Sequence, residues 1–245
     1  MNHFTLHPSA QGRAPWRQHG LGLVEILVAM AISLFLLGGV FTLFNIIRQT
    51  YAAQNGLAQL QDNQRLAMTV LANILQTAGY FPDPMTNTAG SSLPADTTFA
   101  TAGQYVAGST GASASASDTL DVRYRAAAND TTVMNCLGNT AGTSATTFTN
   151  QFTVSSNALT CNGTVLVDGV SNFKVVYGID TTGNGSVTRY VPSTSVTDWT
   201  VVKTVRVTVT FINPLATNAA GQAIAGQPAT ISFTRIVNLL GQGQS

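Results

Sequence analysis

Residues 21–44 read LGLVEILVAMAISLFLLGGVFTLF, and this apolar run governs the architecture of the chain. A helix rises about 1.5 Å per residue and the hydrocarbon core of a bilayer is about 30 Å thick, so the run is long enough to span it. Arg13 and Arg17 precede the run, and no acidic residue does. Positive charge before a spanning segment favours a cytoplasmic start, which predicts that the following residues lie outside the inner membrane.

Glu25 lies inside this apolar run and is the only glutamate in the chain. A carboxylate in hydrocarbon costs several kcal/mol, so it normally has a partner. A plain membrane anchor explains the length of the run but not this acid. The three histidines, His3, His7 and His19, all precede the run. An imidazole-based catalytic or metal site would therefore have to use the N-terminal tail.

The sequence GLGLVEILVAM over residues 20–30 resembles the type IV prepilin signal. That signal consists of a basic leader, a glycine, four mostly apolar residues, a glutamate and an apolar helix. In that family a membrane aspartyl peptidase cuts after the glycine and methylates the new amine. The resemblance implies cleavage between Gly20 and Leu21, N-methylation of Leu21, and a role for Glu25 in assembly. Its carboxylate would neutralise the N-terminal amine of a neighbouring subunit and set the register, because each charge offsets the other's desolvation cost.

Apolar residues recur at three- and four-residue steps after the run, which predicts an amphipathic helix. They are Leu57, Leu60, Ala67, Leu71, Ile74 and Ala78. Gly79, Tyr80 and Pro82 are expected to end the helix, so one helix is predicted over residues 21–78. Gly38-Gly39 either weaken the helix locally or serve helix packing, and both interpretations stay open.

Residues 48–84 resemble the PilW-type minor pilins in their Arg–Tyr, Leu–Gln–Asp–Asn and Ala–Gly–Tyr succession. Short motifs at residues 135–138, 167–170, 177–180 and 198–199 follow in the order of that family. The usual family cysteine after Ala–Gly–Tyr is missing, and Pro82 and Pro84 occupy its region. The resemblance implies an α+β, pilin-like fold in which the long N-terminal helix packs on an antiparallel β-sheet head domain.

Cys136 and Cys161 are the only cysteines, and they do not form a CxxC motif. In an exported chain this pattern predicts one structural disulfide. It would close a loop of about 25 residues and contribute roughly 3 kcal/mol through chain entropy. The alternative is a pair of buried free thiols.

Alternating apolar and polar residues predict strands at 119–125, 148–154, 164–167, 172–179, 187–191, 201–212 and 230–237. Residues 85–117 are rich in Thr, Ala, Gly and Ser, which predicts a surface loop.

The expected organisation is a leader at 1–20, a transmembrane or filament-core helix at 21–44 and the amphipathic half of the helix at 45–80. A low-complexity loop at 81–118 and a β-rich periplasmic head at 119–245 complete it.

Residues 180–186, DTTGNGS, partly match the start of a calcium loop. Its third and twelfth places hold Thr182 and Val191, so only Asp180 would bring a charge. A hairpin turn at Asn184-Gly185 is the simpler interpretation, and calcium binding is left open. No metal or cofactor is predicted, and the GxSxG, P-loop and dinucleotide-binding motifs are absent from the sequence.

The resemblance implies a structural subunit and not an enzyme. It would be a minor pilin of a type IV pilus that binds no cofactor. Its expected partners are other minor pilins, the major pilin, the prepilin peptidase, the inner-membrane assembly platform and a tip adhesin. It would support motility, adhesion or DNA uptake, first from the inner membrane with a periplasmic head and then from the cell-surface pilus. A formal net charge of +1 predicts no direct nucleic-acid contact.

Two other functions share parts of this pattern. A minor pseudopilin of a type II secretion system carries the same signal and helix, and is the alternative. A tethered binding module or enzyme is the third hypothesis. The lack of histidine after residue 19 and of any catalytic motif argues against it.

Overall fold

The structure is a computed structural model that describes residues 22–218 and 221–240. The chain divides into two compact units, Met1–Thr50 and Tyr51–Ser245. Two helices, α1 and α2, and nine strands, β1 to β9, are present in the described part. Their bounds are α1 Leu23–Thr77, α2 Ala89–Ser92, β1 Val106–Ser109, β2 Thr119–Ala126, β3 Thr146–Ser155, β4 Ala158–Cys161, β5 Thr164–Asp168, β6 Val170–Ile179, β7 Arg189–Val191, β8 Val202–Ile212 and β9 Thr230–Asn238.

Helix α1 is continuous, as predicted, and in the first unit all of its residues are exposed. In the second unit its buried residues, Leu60, Ala67, Met68, Leu71, Ala72, Ile74 and Leu75, join the core of the head. The helix ends where Gly79 takes a φ of +77°, a left-handed conformation that glycine adopts without strain. Its N–H donates to the carbonyl of Arg123. A long helix packed on antiparallel sheets confirms the predicted fold class.

The head contains two antiparallel sheets. The five-stranded sheet has the order β1-β2-β3-β4-β5, and the four-stranded sheet has the order β7-β6-β8-β9. Alternate residues of β6 and β8, among them Phe173, Val175, Val207 and Val209, are buried, as the period of a half-buried strand requires. All seven predicted strands are present, and the long β8 is central in its sheet.

Strand β4 is absent from the sequence-based predictions, although a turn-forming pair of residues flanks it on each side. Ser156 and Asn157, before β4, both have positive φ, and so do Asn162 and Gly163 after it. Two-residue turns of this kind connect hairpin strands, and Asn-Gly is the strongest short signal for one. The Asn162 side chain also accepts from the N–H of Gln151, which ties the second turn to β3.

The predicted surface loop at residues 85–117 needs correction, because it contains α2 and β1 and contributes to the core. Leu93, Phe99 and Val106 are almost fully buried. β1 pairs with β2 from Val106 to Ser109. The low-complexity sequence does not predict these elements, because their apolar residues are few and their folding depends on contacts with residues elsewhere in the head.

Part of this segment also covers an edge of the second sheet. The N–H of Asp118 donates to the carbonyl of Phe173, and the amide of Asn172 donates to the carbonyl of Ser115. β7 pairs only with residues 177–179 of β6, so these contacts occupy the remaining edge. An uncovered edge is a site for unwanted strand pairing, which gives the serine- and alanine-rich sequence a structural role.

The predicted disulfide between Cys136 and Cys161 is present, and both cysteines are buried. It joins the segment between β2 and β3 to the end of β4. The backbone N–H of Cys136 donates to the Asn150 side chain at 2.7 Å, which fixes the same segment from a second direction.

Replacing both cysteines by serine is expected to lower the free energy of unfolding by about 2–4 kcal/mol, because the unfolded chain loses a loop constraint. Urea unfolding of the full chain in detergent measures this. Reductant should shift the wild-type midpoint toward that of Cys136→Ser/Cys161→Ser and leave the double variant unchanged. Equal midpoints for the oxidised wild type and the double variant would contradict the prediction.

Candidate assembly helix

The first unit presents an apolar helix surface that nothing in that unit covers. Its large apolar side chains range from 44% exposed at Ile26 to 84% exposed at Phe35. By length and composition alone α1 is able to cross a membrane, and it is the single such helix in the part of the chain described. Such a surface is stable only in lipid or among neighbouring protein, because about 25 cal/mol is gained for each Å² of apolar area removed from water.

Glu25 lies in the first turn of α1. Its backbone N–H donates to the carbonyl of Gly22 at 2.9 Å, which begins the helix. A carboxylate at this position interacts favourably with the partial positive charge of a helix N-terminus. Across residues 22–47 it is the one charged side chain, and the ion pairs within the described ranges do not include it. The geometry thus presents an acid on an apolar helix end, available to a cation from another molecule.

The other residues of the predicted signal cannot be placed beside it. Gly20 and Leu21 lie outside the described residues, and so do Arg13, Arg17 and the histidines. Cleavage and methylation therefore stay predictions.

Helix α1 runs through Gly38-Gly39 without a break. The Thr42 hydroxyl donates to the carbonyl of Gly38 at 2.9 Å, a contact that often bends helices slightly. A Cβ built on either glycine would meet nothing within 4 Å. Among the described residues, packing does not require glycine at either position, so both interpretations stay open.

The Asp180 loop is tied by hydrogen bonds and is longer than the predicted turn. β6 and β7 pair at Ile179 and Arg189, so residues 180–188 form the connection and β7 begins two residues later than predicted. One carboxylate oxygen of Asp180 accepts from the N–H groups of Thr182 and Gly183, and the other accepts from that of Gly185. These contacts, and not a two-residue turn at Asn184-Gly185, shape the loop. Within the described ranges no group of three or more His, Cys, Asp or Glu side chains is placed to hold a metal.

The Asp180 contacts predict an acid dependence of stability. Desolvation raises the pKa of Asp180, but the hydrogen bonds from Gly185, Thr182 and Gly183 together outweigh it and leave the pKa lowered. Because the folded-state pKa is below 3.8, the contribution of Asp180 is complete above the unfolded pKa and is lost as the pH falls through the folded value. Asp180→Asn should therefore unfold at lower urea than wild type at pH 7, with the difference narrowing below about pH 4. A difference that stays constant with pH would exclude the ionised carboxylate as its cause.

Family comparisons agree with this arrangement. Residues 136–233 match the PilW family, described as type IV pilus-assembly protein W. Residues 17–41 match the prokaryotic N-terminal methylation motif, which includes Glu25 and the start of the apolar run. No curated protein matches the chain.

A solved structure of a type IV-like pilin from Thermus thermophilus is similar to the chain. It is 17% identical, with a TM-score of 0.41, over 75% of this chain and 97% of that pilin. The PilW match covers strands β3 to β8 and the start of β9, and the methylation motif covers the exposed part of α1 up to Phe41. The chain thus contains a region that matches the PilW family at residues 136–233 and a prokaryotic N-terminal methylation motif at residues 17–41.

Proposed function

We propose that the chain is a minor pilin of a type IV pilus, anchored in the inner membrane and then incorporated into the filament, near its tip. The observation that carries this proposal is Glu25, an acid with no ion-pair partner among the described residues, on a helix whose large apolar side chains are exposed throughout residues 22–50. A soluble monomer gains nothing from such a helix. A subunit that exchanges lipid for neighbouring helices keeps the apolar surface covered throughout.

Processing supplies the cation that Glu25 needs. Cleavage between Gly20 and Leu21 by the prepilin peptidase creates a methylated amine on Leu21. In the filament, Glu25 of this subunit pairs with the N-terminal amine of a neighbour, a minor or major pilin. Pairing within an apolar surrounding is favourable only when both charges are satisfied, so an unaligned subunit leaves a buried charge and is rejected.

The head is proposed to lie in the periplasm before assembly and at the cell surface afterwards. Two observations support this orientation: the basic residues before the apolar run, and the Cys136–Cys161 disulfide, which suits an oxidising compartment. The subunit takes part in priming the filament for motility, adhesion or DNA uptake, together with the assembly platform and a tip adhesin. It has no enzymatic activity, metal or cofactor of its own in this proposal.

A minor pseudopilin of a type II secretion system is the second candidate. It uses the same signal and the same helix, so the chemistry of residues 20–44 does not separate the two. The match of residues 136–233 to a pilus-assembly family favours the pilus.

Mass spectrometry of the protein extracted from membranes tests processing directly. The expected mature N-terminus is N-methylated Leu21. Gly20→Val is the control, because a β-branched side chain at the cleavage position should leave the leader attached. A wild-type protein that retains residues 1–20, or that is cut after residue 44, would exclude the proposal.

A further inference from the structure

The charged residues of the four-stranded sheet are all basic. Strands β6, β7, β8 and β9 contain five basic residues and no acidic residue. We call the outer face of this sheet the side opposite the buried Phe173 and Val207. Cross-strand partners share a face, so the pairing of Val176 with Arg206 and of Lys174 with Thr208 places both cations on the outer face.

Arg206 is held flat on this face. Its guanidinium carbon lies 4.5 Å from the centroid of the Tyr190 ring, in a cation–π contact. Within the described ranges no carboxylate is paired with Arg206. Stacking fixes the plane of the guanidinium and leaves its N–H edge open, which is the geometry that binds a carboxylate through two hydrogen bonds.

A small pocket lies beside this guanidinium. It has a volume of about 240 Å³. Its lining is Lys174, Val176, Arg206, Thr208 and Thr234. The hydroxyls of Thr208 and Thr234 are 2.9 Å apart and bonded to each other, so one of the two O–H groups remains to donate outward.

Lys174 is positioned by the segment that covers the edge of β6. Its ammonium donates to the Asp118 carboxylate at 3.0 Å and to the carbonyl of Ser113 at 3.3 Å. Asp118 is in turn fixed by the N–H groups of Gly111 and Val175. An ammonium has three donors, so the third is free for a group in the pocket.

We infer that this pocket, formed by Arg206, Lys174 and the Thr208–Thr234 hydroxyls, binds a carboxylate side chain of a neighbouring protein subunit. The inference rests on the proposed function, because it places the neighbour in the filament. The surroundings favour protein over a polyanion. Ile236 pairs with Arg206 on the same face and is 52% exposed, so the charge is flanked by apolar surface, as in the centre of protein interfaces. A nucleic-acid backbone needs a track of cations, and this face supplies two.

Incorporation of charge variants into filaments tests the inference. Arg206→Glu should reduce the amount of subunit in sheared filaments about tenfold relative to the membrane fraction, because it repels the partner carboxylate. Arg206→Gln should reduce it less. Arg189→Glu is the matched control, because it makes the same charge change on the same sheet. Arg189 is adjacent to Tyr190 in β7, so its side chain lies on the face opposite that of Tyr190 and Arg206. Normal membrane levels and wild-type protease resistance of the head establish that each variant is folded.

Carbodiimide treatment of wild-type filaments gives a second measurement, since it joins an amine to a contacting carboxylate. We expect a cross-link from Lys174 to an Asp or Glu of another subunit, in addition to the internal link to Asp118. Internal links alone, or full incorporation of Arg206→Glu, would overturn the inference while leaving the minor-pilin proposal intact. Absence of the wild-type chain from filaments would overturn both. Duplex DNA binding by the detergent-solubilised chain that Arg206→Gln abolishes would assign the pocket to phosphate and overturn a protein partner.

Discussion

Replacing Arg123 by methionine is expected to lower the free energy of unfolding by about 3–5 kcal/mol. Arg123 is 1% exposed, and its guanidinium donates to the carbonyls of Gln104, Pro94 and Leu93. It also pairs with Asp96 at 3.1 Å and lies 4.3 Å from the Phe99 ring centroid. Methionine fills similar volume but removes the donor to the carbonyls of Gln104 and Pro94, and each buried group left without a donor costs about 1–3 kcal/mol.

Arg125→Met is the matched control for this variant. It makes the same substitution two residues along β2, where the side-chain hydrogen bond that Arg125 makes within the described ranges goes to the carbonyl of Ser92 at 3.3 Å. Its expected cost is about 0–1 kcal/mol, typical of a partly exposed polar contact. Urea unfolding of both variants, as full chains in detergent, measures the difference. Limited proteolysis should cut Arg123→Met within residues 93–104, and a loss no larger than that of Arg125→Met would contradict the central role of Arg123.

Replacing Glu25 by alanine is expected to give a subunit that inserts in the membrane normally but is at least tenfold depleted from filaments. Alanine removes a charge from the apolar helix, so insertion is no harder than for wild type. In the filament, however, the amine of the neighbouring subunit would lose its counter-charge and remain buried and unpaired. Breaking a buried pair in this way costs about 3–5 kcal/mol, which corresponds to more than a hundredfold in an equilibrium constant.

Ser33→Ala is a suitable control for Glu25→Ala. Ser33 lies on the same exposed helix and its hydroxyl donates only to the carbonyl of Ala29, four residues earlier. Its loss should leave the filament fraction unchanged. Immunoblots of membrane and sheared-filament fractions measure both variants, and mass spectrometry shows whether Glu25→Ala is still cleaved. Equal incorporation of a cleaved Glu25→Ala subunit would remove the ion-pair proposal.

The helix and most strands could be predicted because each depends on residues close together in sequence. An apolar run followed by a three- and four-residue repeat specifies α1, whatever it packs on. Alternation of apolar and polar residues likewise specifies β2, β6 and β8. Glu25 was found by the same kind of reasoning, because a single acid in an apolar run is anomalous by composition alone.

Residues 85–117 could not be predicted because their order comes from distant partners. Arg123 binds carbonyls 19 to 30 residues before it, a relationship that no local pattern records. The pocket at Arg206 has the same origin: Lys174, Tyr190, Arg206 and Thr234 come from four strands. No spacing along the chain indicates that they meet.

The sequence by itself determined the long helix, the anomalous acid, the prepilin-like signal and the pair of cysteines, because these are properties of composition and of short-range periodicity. The tertiary structure alone decided the order of the two sheets, the buried Arg123 cluster and the cationic pocket. Strand order and register depend on which distant segments bury one another's apolar faces. That choice is a property of the whole chain, since the entropy of closing a loop grows only slowly with its length and so excludes few pairings.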